Sequence, residues 1–167
     1  MADELDPHLE RTTFFALMES LGMLQHAIER NLRAEGDLSY VQFQLLCKLA
    51  SAEGKLTMTE LADGVVLSRS GLSHQACLLG KAGLIERGPD PDDHRSTLVG
   101  LTEAGRARFA SVLPGHIEVA RGMLYEELTD EDVKHLGDIM SRVRDNMRAK
   151  PPRSADTKRR TSRDGTS

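Results

Sequence analysis

Residues 56–106 hold the densest run of local structural signals in this chain: LTMTELADGVVLSRSGLSHQACLLGKAGLIERGPDPDDHRSTLVGLTEAGR. Thr57 and Glu60 have the spacing of a capping box, in which the hydroxyl accepts from an orphan N–H and the carboxylate reaches back. They start a short helix through Leu61 and Ala62 that ends near Gly64. Ser68 is placed to cap a second helix running to about Ala82, with Gly83 as its left-handed stop. Residues 84–87 and 97–101 read as strands, and GPDPDDHRS between them is dense with turn residues. Thr102 then caps a further helix. Helix, tight turn, helix, hairpin and helix in this order form a winged helix-turn-helix. Such a shape sets one helix in a DNA major groove with the hairpin beside it.

The flanks are helical. Phe14, Leu17, Leu21, Leu24, Ile28 and Leu32 recur at helical spacing and predict a helix from about residue 8 to 34, ended near Gly36. A second helix is expected over residues 40–50, with Phe43, Leu46 and Leu49 or Ala50 inward. The helix capped by Thr102 extends to about Leu128, with Pro114-Gly115 as an expected kink. Thr129 caps a last helix whose stripe is Val133, Leu136, Ile139, Met140, Val143 and Met147. From Pro151 onward there is no apolar periodicity, and the chain reads as disordered. The expected organisation is an N-terminal dimerisation helix (1–36), a DNA-binding lobe (37–101), C-terminal dimerisation helices (102–148) and a basic tail (149–167). The terminal stripes exceed what a winged module of about 60 residues can bury alone. The economical solution is a two-fold homodimer joined through both ends, matched to a two-fold DNA site.

Charge qualifies this reading. The formal charge is -4, yet the segment after Met147 carries seven Lys/Arg against two Asp, a net +5 that leaves -9 for the rest. Residues 55–106 hold six Lys/Arg and seven Asp/Glu, so DNA binding there must rest on the placement of a few cations. No run approaches the roughly 20 apolar residues of a membrane span, and the acidic N-terminus lacks a signal-peptide core. Cys47 and Cys77 have no disulfide-framework or zinc-knuckle spacing, which points to a reducing cytoplasm. Histidines at 8, 26, 74, 94, 116 and 135 show no ligand spacing, so no metal or other cofactor is expected. A Gly-rich phosphate loop, a nucleophile elbow and a paired-carboxylate site are all missing from the pattern, which argues against an enzyme.

Three segments, LSRSGLSHQ, KAGLIER and DPDDHRSTLVGLTEAGR, resemble the MarR (multiple antibiotic resistance regulator) family of bacterial transcription factors. Asp93-His94-Arg95-Ser96 followed by Leu101-Thr102-Glu103-Ala104-Gly105 is specific in combination, and the resemblance covers roughly residues 9–147. It implies a mainly α fold with a small hairpin wing, a homodimer joined by its terminal helices, and recognition helices in successive major grooves. It also implies a wing arginine in a minor groove and a small aromatic or phenolic acid as effector. Where many members carry Thr-Arg-Leu in the recognition helix, this chain has Ser73-His74-Gln75, which leaves the operator sequence open.

The candidate DNA-binding residues are Ser68, Arg69, Ser70, Ser73, His74, Gln75, Asp93 and Arg95. The first six occupy the first two turns of the recognition helix, where a glutamine can pair bidentately with adenine. Leu72, Ala76 and Leu79 recur on its opposite side and read as core. Arg95, held by Asp93, suits a narrow minor groove; the bland alternative is a surface ion pair worth about 0–1 kcal/mol. Three functional classes remain. The first is a ligand-responsive repressor on a palindromic operator, and the second a winged-helix protein-interaction module. The third is a thiol-based redox sensor using Cys47 or Cys77.

Overall fold

Helix starts in this protein are set by side chains that satisfy the orphan N–H groups of each first turn. The computed structural model describes residues 6–149 except residues 64, 66–68, 92, 94 and 95, with only the backbone of Arg69. Asp6 caps α1 (Pro7–Gly36), accepting from the His8 N–H at 2.9 Å, and Pro7 sits where no N–H is needed. Ser39 and Gln42 form a reciprocal capping box on α2 (Tyr40–Ala50) at 2.9 and 3.1 Å. Thr57 and Glu60 do the same for α3 (Met58–Ala62) at 2.8 and 3.1 Å. The recognition-helix candidate, α4, spans Arg69–Lys81. The Thr102 hydroxyl accepts from the Gly105 N–H at 3.0 Å and starts α5 (Glu103–Ala120). Thr129 and Asp132 exchange bonds of 3.0 and 3.2 Å at the start of α6 (Asp130–Ala149).

Among the described residues the sheet has three antiparallel strands in the order β1 (Leu56–Thr57), β3 (Thr97–Leu101), β2 (Ile85–Pro89). Ile85 pairs with Leu101 and Pro89 with Thr97, while Leu56 pairs with Val99 on the other edge of β3. β1 was not expected: two residues leading into a helix carry no period-2 pattern. The second strand runs further than residues 84–87, because the register with β3 holds out to Pro89.

One apolar cluster joins these elements. Ile28 and Leu32 of α1 meet Phe43, Leu45, Leu46 and Leu49 of α2, Leu61 of α3, and Leu72, Ala76 and Leu79 of α4. Val99 and Leu101 of β3 and Val112 of α5 close it. The expected inward set on α2 held for Phe43, Leu46 and Leu49, but Ala50 is exposed and Leu45 is buried. α2 is packed on more than one side, so its apolar face is wider than a single stripe.

α1 ends at Gly36, as its spacing predicts, but Gly36 is not the left-handed residue. The left-handed position is Asp37 (φ 50°), whose N–H donates to the Arg33 carbonyl at 3.2 Å. Gly36 instead permits close approach: a methyl there would overlap Val112 of α5. Gly115 does the same, since a methyl on it would overlap the Glu35 carboxylate. Pro114, expected to kink the helix, lies inside α5, and α geometry is lost later, in a π-helical turn at Arg121–Tyr125. The helix expected to reach about Leu128 therefore ends its regular part at Ala120.

The chain forms two compact units, one reaching to Leu124 and one beginning at Tyr125. The second carries α6, none of whose residues is buried; Ile139 and Met147 of its stripe are exposed. No helix among the described residues is long and apolar enough to cross a membrane.

Candidate nucleic-acid interface

The apolar residues of α4 fix which of its faces is free. Leu72, Ala76 and Leu79 are buried at i, i+4 and i+7, as their spacing predicts. The opposite side presents Ser70, His74, Cys77 and Lys81, all exposed, with Ser73 exposed on its flank. Gln75 lies on the other flank and is half-buried; its Oε1 is shielded from solvent and has no hydrogen-bond partner among the described residues. Of the residues singled out from sequence, Ser70, Ser73 and His74 are thus brought together on open surface. Arg69 is the first residue of the helix, and Ser68 lies outside the described residues. Sequence reasoning named DNA-facing residues only in the first two turns; it took Cys77 as a candidate thiol and did not place Cys77 or Lys81 on this exposed face. Their spacing from His74, i+3 and i+7, was the available signal.

The end of α4 is tied to the wing. Gly83 (φ 70°) makes the left-handed turn, its N–H donating to the Gly80 carbonyl and that of Leu84 to the Leu79 carbonyl, each at 3.0 Å. The Thr102 hydroxyl donates to the Gly83 carbonyl at 2.7 Å, and the Thr102 N–H donates to the Leu84 carbonyl at 3.2 Å. At the far end of the hairpin, the Asp90 N–H donates to the Ser96 carbonyl (3.2 Å) and the Ser96 N–H to the Asp93 carbonyl (2.8 Å). Asp93 is exposed at this tip; Arg95 lies outside the described residues. Glu86 pairs with Lys55 at 2.8 Å, and this contact holds its carboxyl below the usual range. Arg87, the next residue on the strand, is exposed and has no ion pair among the described residues.

A second feature lies behind the helix pair. A cleft of about 330 Å³ is bounded by Tyr40, Phe43, Cys47 and Lys48 of α2, Val65 of the turn before α4, and His116 of α5. The Lys48 ammonium donates to the Asp63 carbonyl, anchoring that turn to α2. The His116 ring centre is 4.4 Å from that of Phe43, which stacks on Phe109 at 5.7 Å. Burial pushes the His116 imidazole below its ordinary value, and its Nδ1 is shielded with no partner among the described residues. Cys47 is half-buried and Cys77 exposed, and both are free thiols. Among the described residues no group of three or more His, Cys, Asp or Glu is placed to hold a metal.

A helix pair whose second helix turns a polar face outward beside a three-stranded wing defines a winged helix-turn-helix, DNA-binding transcriptional regulator. Residues 36–96 match the model of the MarR family. The HTH-type transcriptional repressor YetL of Bacillus subtilis is 29% identical over 135 residues, spanning 78% of this chain and 80% of YetL. The HTH-type regulator YdcH of the same species is 36% identical over 103 residues, 60% of this chain and 69% of YdcH. The MarR family regulator Sco3205 of Streptomyces coelicolor, solved in complex with DNA, shares the fold with a TM-score of 0.82. That match has 31% identity and covers 86% of this chain and 91% of Sco3205. The chain belongs to the MarR family, whose members here are transcriptional regulators and not enzymes.

Proposed function

We propose that this protein is a cytoplasmic, ligand-responsive repressor that binds a palindromic operator as a homodimer. The observation that carries the reading is the division of α4: three buried apolar residues on one side, and an open polar face beside the wing on the other. Ser68, Arg69, Ser70, Ser73 and His74 serve base edges and phosphates, Gln75 turns outward to reach a base, and Arg95, oriented by Asp93, enters the minor groove. Repression, not activation, is favoured by the name of YetL. The homodimer is supported by exposed apolar residues on the first half of α1 and on α6. In this organisation α1 and residues 102–148 form the dimerisation part around a lobe at 37–101. The tail, with Lys158, Arg159, Arg160 and Arg163, adds affinity without specificity.

The effector is a small aromatic or phenolic acid seated in the cleft between α2, the turn before α4 and His116. Its ring would lie on Phe43 and its carboxylate would meet Lys48. A carboxylate competing for Lys48 would loosen the anchor of the turn that leads into the recognition helix. A near-complete switch demands about 5.5 kcal/mol of differential affinity between the two states.

Fluorescence anisotropy on a palindromic site, on scrambled DNA and over a range of salt tests the reading. Gln75→Ala should relax preference at one position per half-site, costing about 1–3 kcal/mol. Arg95→Ala should weaken native-site binding and flatten preference for A·T-rich flanks. Parent-like affinity in both variants across salt would mean that the DNA surface lies elsewhere. A second reading, thiol sensing, draws on Cys77, whose place on the open face of α4 would put an oxidised sulfur against DNA.

A further inference from the structure

On the other side of α2 from the His116 cleft, the base of the wing and the first turn of α5 enclose a second cleft of about 430 Å³. Leu49, Leu101 and Phe109 supply its apolar wall, and Lys55, Glu86 and Arg106 its charged rim. Leu49 and Leu101 belong to the core, so this wall is held by packing on its far side. Gly100 keeps the floor low: a Cβ there would stand 3.0 Å from the Lys55 Cγ, so the lysine stem lies directly along β3. This brings the Lys55 ammonium to Glu86, the residue paired with Gly100 across the sheet. Arg106 is exposed, and its side chain makes no hydrogen bond or ion pair among the described residues, though its charge acts on Glu86 from a longer range. The rim therefore carries a lysine–glutamate pair and, outside that pair, an exposed guanidinium beside an apolar wall.

We infer that this cleft is a binding site for a small amphipathic organic anion, held by Arg106 and resting its hydrocarbon on Leu49, Leu101 and Phe109. A guanidinium offers a planar fork to a carboxylate, and a cleft with a few placed charges on an apolar wall suits a compact organic acid. The site is distinct from the His116 cleft, although the two share an aromatic partition. Phe109 lines the one, Phe43 lines the other, and their rings stack. An occupant would span β2, β3, α2 and α5 and so brace the base of the wing.

Benzoate is the probe, with benzylamine as its charge-reversed counterpart. Both are titrated into the full chain without DNA, and amide and methyl resonances are followed. Benzoate should give saturable shifts at Leu49, Gly54, Gly100 and Leu101, and benzylamine none. Arg106→Gln should weaken benzoate at least about tenfold, the loss of one charge-assisted contact. Glu86→Gln should tighten it severalfold, because it removes a repelling carboxylate and frees Lys55; a loss of fold cannot mimic that gain. His116→Ala should leave this site's affinity unchanged. The inference fails if the shifts are confined to Cys47, Val65 and His116, or if none saturates. It fails equally if Arg106→Gln binds like the parent, or if Glu86→Gln binds more weakly. None of these outcomes involves DNA, so failure here leaves the proposed function standing.

Discussion

The two halves of α1 share one helix and one apolar spacing, yet they meet different fates. Ile28, Leu32 and Gly36 in the second half are buried against α2 and α5. Leu9, Phe14, Phe15, Met18, Leu21 and Met23 in the first half are exposed, Phe15 at 62%. Periodicity marks a face that must be covered; it does not say by what. An exposed apolar patch of this kind suits an interaction surface, and burial at roughly 25 cal/mol per Å² would give a partner ample driving force. A second copy of the chain is the occupant proposed above.

The comparison breaks most forcefully at Leu32, which is 0% exposed. Leu32→Ala should cost about 2–5 kcal/mol in denaturant unfolding, through lost burial and a cavity. The same truncation at Leu21, measured below the dimer dissociation constant, should cost less than about 1 kcal/mol. Equal costs at the two positions would mean that the first half of α1 is covered within the chain. Next in size is a double variant, Phe14→Glu with Leu21→Glu. Sedimentation velocity should show it as a monomer at micromolar concentration with parent-like circular dichroism, and operator affinity should fall by about two orders of magnitude, on the order of 2.7 kcal/mol. A parent-like dimer would place the interface elsewhere.

Two glycines sharpen the contrast. Gly36→Ala forces a methyl into Val112 and should destabilise by about 1–3 kcal/mol in thermal unfolding. Gly22 has nothing within 4 Å of its missing Cβ, so Gly22→Ala should stabilise the single chain by about 0.5–1 kcal/mol. A Gly22→Ala variant that loses dimer affinity would instead show the partner helix crossing at that point.

The smallest effect concerns pH. His116 packs on Phe43 against the covered side, and burial lowers its pKa from the ordinary 6.5. Above that value the imidazole is neutral both folded and unfolded. As pH falls through it, the unfolded chain takes up the proton first, so stability declines on the acid side. His116→Gln should flatten this decline in unfolding measured from pH 7 to 5. An unchanged slope in His116→Gln would show that burial at this site does not control its titration.

Signals confined to a few neighbouring residues were legible in the sequence. Thr57 with Glu60, Gly83 and Thr102 each act within four residues, and each does in the structure what its spacing implied. The inward side of α4 was equally readable, since three apolar residues at 72, 76 and 79 define it. Features that depend on distant chain were not. Gly36 marked the end of α1, but its close contact with α5 could not be read, because it involves a residue far along the chain. β1 exists only because β3 comes to pair with it. The π-helical turn carries no proline, and the proline that attracted notice is accommodated inside α5. For the site, the polar residues of α4 were named from the first two turns, but the half-burial of Gln75 and the openness of Cys77 and Lys81 depend on how α4 is rotated against the core.

The bonds from Thr102 to Gly83 and Leu84 fix the two ends of the hairpin to one another and to the start of α5. The chain enters the wing and leaves it at one point, pinned by two hydrogen bonds and a helix cap. Ile85, Val99 and Leu101 belong to the core and β3 also pairs with β1, so the base of the hairpin is part of the fold. Only what lies beyond that base can be rewritten while α5 still begins at the same place relative to α4. The groove preference proposed for the wing tip could therefore be exchanged without moving α4.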